Sequence, residues 1–247
     1  MNTAQFKIMS DREDTYWWHV GRLLIIDKQI QVIRKSNNNK KLKILNIGCG
    51  TGGTIGVLKK HACKLTNVDV SKVAIKFTKR AGHEALLVDG VNLPFTSDEF
   101  DLIVAFDVLE HIKSDEQALK EWMRVLKKGG DFLVSVPAFQ WLWSGHDVSL
   151  DHFRRYTAAS LRLKAENAGF RTIRSGYMIM FSFPLVAGFR MISKFKRQSI
   201  TDESSYVNIS KPINHIFISM LRLEANLQRY VRMPIGTSVL ARFTKSK

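Results

Sequence analysis

Residues 43–53 read KILNIGCGTGG, Lys43 to Gly53, an apolar run that enters a cluster of glycines. The run has the character of a buried strand. Gly48, Gly50 and Gly52 make a turn over which a ligand can sit, because glycine takes backbone angles that other residues avoid. Gly48, Gly50 and Gly53 also satisfy the G-x-G-x-x-G spacing of dinucleotide sites. That spacing alone does not choose between nucleotide-like ligands. A phosphate-binding loop is excluded, since Gly53 is followed by Thr54, Ile55 and Gly56 rather than by Gly-Lys-Ser/Thr. The helix after the turn presents free N–H groups, and the identity of the ligand has to come from the strands that follow.

Outward from the turn, strand and helix signals alternate. TIGVLKKHA reads as a helix and KLTNVDV as a second strand. SKVAIKFTKRAG is a helix begun by Ser71 as N-cap and ended by Gly82. EALLVD and FDLIVAFD are the third and fourth strands. SDEQALKEWMRVLKKGG is a helix with acidic residues at its start and basic ones at its end, as the helix dipole favours. DFLVSVP is the fifth strand. Such alternation predicts an α/β fold with a parallel sheet covered by helices on both faces. Before the turn, HVGRLLIIDKQIQVIRK spaces its apolar residues as a helix. After Pro137 come the aromatic, basic stretch AFQWLWSGHDVSLDHFRRYT, the helix AASLRLKAENAGF, and the apolar block Gly176–Arg197, which Pro184 interrupts. The amphipathic helix INHIFISMLRLEANLQRYVR follows. The expected division is an N-terminal helical lid (1–40), a core (41–175) and a basic C-terminal extension (176–247).

The chain of 247 residues is 45% hydrophobic, enough for a real core. Its formal charge of +16 is uneven: from Asp151 onward 17 Lys and Arg stand against 5 Asp and Glu. That asymmetry suggests an anionic partner, which is a phosphorylated substrate, a lipid surface or nucleic acid. Two cysteines, Cys49 and Cys63, make no disulfide framework. With no apolar signal core at the N-terminus, a cytoplasmic setting is expected. The apolar block is too short and broken to span a bilayer. Bordered by Lys194, Lys196 and Arg197, it would instead rest on anionic lipid as a peripheral contact or admit a greasy substrate.

Asp69 ends the second strand, where a carboxylate accepts hydrogen bonds from ribose hydroxyls. Asp89 ends the third, and with Gly90–Val91 it suits an adenine edge. With LNIGCGTGG, NVDVS, VDGVNLPF, FDLIVAFDVLEHI and RVLKKGGDFLVSVPA in order across residues 43–138, the chain resembles the class I S-adenosylmethionine-dependent methyltransferases, in particular the type 11 group. The resemblance implies a Rossmann-like, doubly wound, mostly parallel sheet of seven strands. It implies S-adenosylmethionine as cofactor, with contacts at Gly48, Cys49, Gly50, Gly52, Asp69, Val70, Asp89, Gly90 and Asp107. Asp69 would hold the ribose, Asp89 the adenine amino group, and Asp107 would lie near the methionine part. YWWHVGR, WLWSGHD and DHFRRYT resemble a bacterial and archaeal subgroup that often accompanies sugar, lipid-carrier or polyketide pathways.

Methyl transfer to a hydroxyl needs positioning and a base. His111 is the base candidate and Glu110 its orienting or substrate-binding neighbour; the competing reading makes both a helix cap. Tyr16, Trp18, His146, His152, Arg154, Arg155 and Tyr156 are acceptor-contact candidates, the arginines because a guanidinium grips phosphate or carboxylate. His146, Asp147 and His152 would also suit a divalent metal shared with Glu110 and His111, but spacing fixes no geometry and no metal ligand is assigned. The expected function is methylation, on oxygen, of a small-molecule or lipid- or sugar-linked acceptor. An RNA methyltransferase and a non-catalytic cofactor-binding partner protein are the alternatives.

Overall fold

The computed structural model describes residues 3–195, 206 and 209–246. Its elements, in chain order, are α1 (Thr3–Ser10), α2 (Trp17–Ser36), β1 (Leu42–Ile47), α3 (Ile55–Lys59), β2 (Ala62–Asp69), α4 (Lys72–Arg80), β3 (Leu86–Leu87), β4 (Phe100–Phe106), α5 (Asp115–Val125), β5 (Leu126–Pro137), α6 (Gly145–Ser149), α7 (Ala158–Asn167), β6 (Phe170–Met178), α8 (Phe183–Phe195), α9 (Lys211–Leu227) and β7 (Ser238–Lys245). The sheet has seven strands in the order β3-β2-β1-β4-β5-β7-β6. β1 pairs in parallel with β2 and β4, whereas β7 runs antiparallel to both β5 and β6. Buried side chains form one core on the face covered by α5 and α7, around Trp122, Phe132 and Leu161. A second core lies under α2 and α9, around Ile26, Ile30, Val104 and Leu221. This is the doubly wound arrangement that the alternating pattern predicts.

Several elements differ in extent from the sequence reading, for local reasons. The helix expected to run to Gly130 stops at Val125, because Leu126 is fully buried and pairs with Phe100 as the first residue of β5. Gly130 then passes so close to β4 that a Cβ there would lie 3.0 Å from the Asp101 carbonyl oxygen. The third strand shrinks to two residues at the sheet edge, with Leu86 and Leu87 half exposed. The apolar block divides at Ile179, whose φ is +62°. The Glu224 carboxylate secures that turn by accepting the N–H groups of Ile179 (2.6 Å) and Met180 (2.9 Å). Pro184 falls at the start of α8, where its missing N–H costs nothing. Lys196 and Arg197 lie outside the described residues, as does the side chain of Lys194. No helix among the described residues is long and apolar enough to cross a membrane.

The WWHVGR stretch docks α2 against α9 and the sheet. The Trp17 ring packs 4.9 Å from that of Phe217, and the Trp17 backbone N–H donates to Asn214 Oδ1 at 2.9 Å. One helical turn on, Gly21 faces Leu221 so closely that a Cβ would sit 2.1 Å from Leu221 Cδ1. Arg22, next in sequence, reaches Asp107 at the end of β4, Nη2 to Oδ2 2.8 Å. Gly21→Ala should therefore destabilise the protein by about 1–3 kcal/mol through overpacking, although alanine gains up to about 1 kcal/mol in helix propensity. A denaturant titration checks this. Equal or higher stability of the variant would contradict the packing described.

Candidate active site

The glycine turn is held by its neighbours on both sides. Gly48 and Cys49 donate their N–H groups to the Val68 carbonyl at 2.8 and 3.1 Å, clamping the end of β1 to β2. Gly48, Gly50 and Gly52 all have positive φ (+72°, +56° and +103°). A Cβ on Gly48 would lie 2.3 Å from Val108 Cγ2, so the turn also touches the segment after β4. The Cys49 side chain is buried and contacts Thr78 Oγ1 at 3.5 Å, and burial pushes its thiol up to about 11. Cys49 therefore offers the site only its backbone.

Asp69 organises the turn from the end of β2. Its Oδ2 accepts the Gly50 N–H at 2.9 Å and its Oδ1 the Ser71 N–H at 2.8 Å. Burial raises its carboxyl pKa against these hydrogen bonds. A carboxylate has about four acceptor positions, so two remain for a ligand's hydroxyls. Val70 beside it is 71% exposed, an apolar face at the mouth of the site. Asp89 folds back on the Val91 N–H (3.0 Å), while Trp122 Nε1 fixes the Gly90 carbonyl at 2.8 Å. Asp107, with φ +56°, anchors to β5 through the Ser135 carbonyl and to α2 through Arg22. The residues read as cofactor contacts thus lie along the carboxyl ends of β1, β2 and β4 and just past β3.

Two residues of this site escape a sequence reading. Glu13, between α1 and α2, accepts the Thr51 hydroxyl and the Gly53 N–H, and burial raises its carboxyl pKa. Arg22 lies over the Trp18 ring (5.2 Å) as it meets Asp107. Both come from the lead-in and reach the turn only through the tertiary fold. The Gly-Arg pair of YWWHVGR was the available signal for Arg22; no spacing marks Glu13.

Past Asp107 the chain makes a short 3-10 turn, Leu109–His111. Glu110 is fully buried and neither carboxylate oxygen has a hydrogen-bond partner among the described residues. Burial, and then the nearby Asp107 charge, raise its pKa well above the carboxylate range. The His111 and His152 rings meet edge to face, 4.6 Å between centroids, and His152 Nε2 lies 4.0 Å from Glu110 Oε1. His152 Nδ1 is 2.9 Å from Asp147 Oδ1. Asp147 in turn takes Arg155 Nε and Nη2 at 2.7 and 3.0 Å. Burial opposes its charge, but His152 and Arg155 hold its carboxyl well below the usual range.

The remaining acceptor-contact candidates are placed as follows. Arg154 binds Asp115 (2.8 Å) and the Lys113 carbonyl (2.8 Å), and the buried Tyr156 hydroxyl donates to the same Asp115 at 2.9 Å. Arg155 is committed to Asp147 and the Ala138 carbonyl. These three side chains thus bind the protein's own groups and do not join the glycine turn. His146, on α6, is largely buried near Arg190. Tyr16 and Trp18 lie among the aromatic side chains of the lead-in, against Trp17, His19 and Tyr206.

Comparison with known proteins agrees with this geometry. Residues 45–134 match the family model described as a methyltransferase domain. The chain is 32% identical over 129 residues to an Arabidopsis thaliana tRNA (carboxymethyluridine(34)-5-O)-methyltransferase, covering 51% of this chain and 30% of that one. It is 30% identical over 172 residues to a Mycolicibacterium smegmatis protein named as a probable S-adenosylmethionine-dependent methyltransferase, covering 68% and 64%. The chain thus spans less than two thirds of the length of either relative. A chain from the complex of the Haloferax volcanii Trm112 methyltransferase activator with a methyltransferase superposes with a TM-score of 0.63 at 16% identity, over 99% of this chain and 95% of that chain. The Thermotoga maritima S-adenosylmethionine-dependent methyltransferase, a possible histamine N-methyltransferase, gives 0.58 at 19% identity over 98% of each. The chain carries a class I S-adenosylmethionine-dependent methyltransferase domain, and the cofactor of that family is S-adenosylmethionine.

Burial also sets the charge state of three histidines. It lowers the pKa of His111 and His146 to about 4 and that of His19 to about 3. A histidine lowered from about 6.5 stays neutral as pH falls, so these imidazoles should remain uncharged at pH 5.5. Imidazole NMR shifts read this directly. Midpoints between pH 6 and 7 would contradict the burial described.

Proposed function

We propose that the protein transfers the methyl group of S-adenosylmethionine to a hydroxyl of a small-molecule or lipid- or sugar-linked acceptor. The observation that carries this reading is the convergence, at one edge of the sheet, of the Asp69-held glycine turn with the carboxylates of Glu13 and Asp107. The cofactor supplies an electrophilic methyl on a sulfonium, transferred by in-line displacement. Its donor set fits these residues: Asp69 keeps free acceptor positions for ribose hydroxyls, Val70 offers an apolar face to adenine, and Asp89 an acceptor to its amino group. Two carboxylates near the turn suit an ammonium and a sulfonium. They would repel the diphosphate of a dinucleotide, which argues against NAD.

Glu110 and His111, just past Asp107, would handle the acceptor's proton, with His152 beside them. His111 is in the form that accepts one, since burial keeps it neutral at pH 7. The excess of cations after Asp151 supports an acceptor that carries phosphate or another anion. It equally supports a second reading, RNA as acceptor, which the similarity to tRNA methyltransferases favours.

Calorimetric titration should give micromolar binding of S-adenosylmethionine and none of NAD. Asp89→Ala, at an exposed position, should weaken that binding about tenfold without lowering the melting temperature. Labelled methyl should then enter a lipid or sugar extract rather than tRNA. Transfer to tRNA would replace the first reading by the second. Tight binding without transfer to either would leave a non-catalytic cofactor-binding protein. A folded protein that binds no S-adenosylmethionine would contradict both catalytic readings.

A further inference from the structure

We propose that Glu110, His111 and His152 form a binding site for a divalent transition-metal ion. The buried carboxylate is the first reason. Both oxygens of Glu110 are shielded from water and neither has a hydrogen-bond partner among the described residues. An unpaired buried carboxyl costs roughly 1–3 kcal/mol or more, and natural structures seldom carry that cost without a use. Arg22 and Arg155 act on Glu110 only through their charge and donate no hydrogen bond to it.

The arrangement of the imidazoles is the second reason. One ligand atom from each of the three residues lies within 4.8 Å of the other two. Four-coordinate bonds of about 2.1 Å place ligand atoms about 3.4 Å apart, so Glu110 Oε1 and His152 Nε2, at 4.0 Å, need to close by only a fraction of an ångström. The other pairs, within 4.8 Å, would close by up to about 1.4 Å as the ion binds.

The His152 imidazole is also oriented through its other nitrogen. Its Nδ1 is bound to Asp147, which Arg155 and the Ser144 N–H fix from behind. The Leu150 carbonyl lies beside the His111 ring. A carboxylate or carbonyl behind each ligating histidine is the usual support of a metal site, because it sets the tautomer and raises the ring's basicity. The Glu110 carbonyl accepts the Phe153 N–H at 2.8 Å, which ties the two ligand-bearing segments together.

Two imidazoles with one carboxylate select borderline cations such as Fe²⁺, Co²⁺ or Zn²⁺ over Mg²⁺ or Ca²⁺, which prefer all-oxygen sets. Three protein ligands leave at least one position for an exogenous oxygen. This inference deepens the hydroxyl-acceptor reading and rests on it for the ion's role. A hydroxyl bound to the ion would lose its proton to water near neutral pH, with His111 then a ligand rather than the base.

The test uses the full-length protein, stripped with chelator and titrated with Co²⁺ in the absence of S-adenosylmethionine, so that its outcome is separate from that of the cofactor. One equivalent should bind at micromolar concentration, with a visible ligand-field band. Glu110→Gln and His152→Ala should each weaken binding at least tenfold, and Asp147→Asn by about 10–100-fold. Circular dichroism checks that each variant is folded. Should any fail to fold, wild-type protein with Co²⁺ should still show paramagnetic shifts on His111 and His152 and none on the distant His61. No binding by the folded protein, unchanged affinity in the folded variants, or shifts that spare His111 and His152 would overturn the site.

Discussion

The close approach of Gly48 to Val108 is the constraint on which the rest of the site depends. β1 lies between β2 and β4, and its carboxyl end must turn away without room for a side chain. The two N–H groups on the Val68 carbonyl and the third on Asp69 hold that turn in place. Because the three strands run parallel, everything that follows them emerges at the same edge. Asp69 and the Asp107–His111 segment therefore emerge on the same side of the sheet although about forty residues apart in sequence. A crevice outside the carboxyl ends of parallel strands is where such sheets bind ligands in general.

Electrostatics at that edge runs against the chain as a whole. The protein carries a formal +16, yet Glu13 and Asp107 gather about the glycine turn and the end of β4. Arg22 is the counterweight, paired with Asp107 and lying across the Trp18 and Phe106 rings. Its position depends in turn on Gly21, which lets α2 approach Leu221 of α9. The lead-in thus joins the C-terminal helix to the methyl-transfer edge by direct packing. A cationic cofactor and a basic, anion-attracting exterior are compatible, because the two charges act on different molecules.

The sheet was legible where hydrophobic runs end in glycine or aspartate. KILNI, NVD and FDLIVAF each carry their own boundary, and the residues that follow them, Gly48, Asp69 and Asp107, are the ones that reach the site. β7 was not legible, since Ser238–Lys245 mixes Arg242 and Lys245 with apolar residues and has its partners sixty or more residues away. The extent of α5 was misread because LKKGG has helical composition; its pairing with β4 decides otherwise. For Arg154, Arg155 and Tyr156, nothing local announces the partners Asp115 and Asp147, which bind them in the fold. Glu13 shows the converse: an ordinary acidic residue in sequence becomes a group at the turn once α2 is docked.

The most direct test of the account is a crystal structure with S-adenosylhomocysteine. The ribose hydroxyls should lie on Asp69, the adenine beside Val70 with its amino group toward Asp89, and the amino-acid end over Gly48–Gly53 between Glu13 and Asp107. A ligand bound elsewhere, or a glycine turn left empty at saturating concentration, would contradict it.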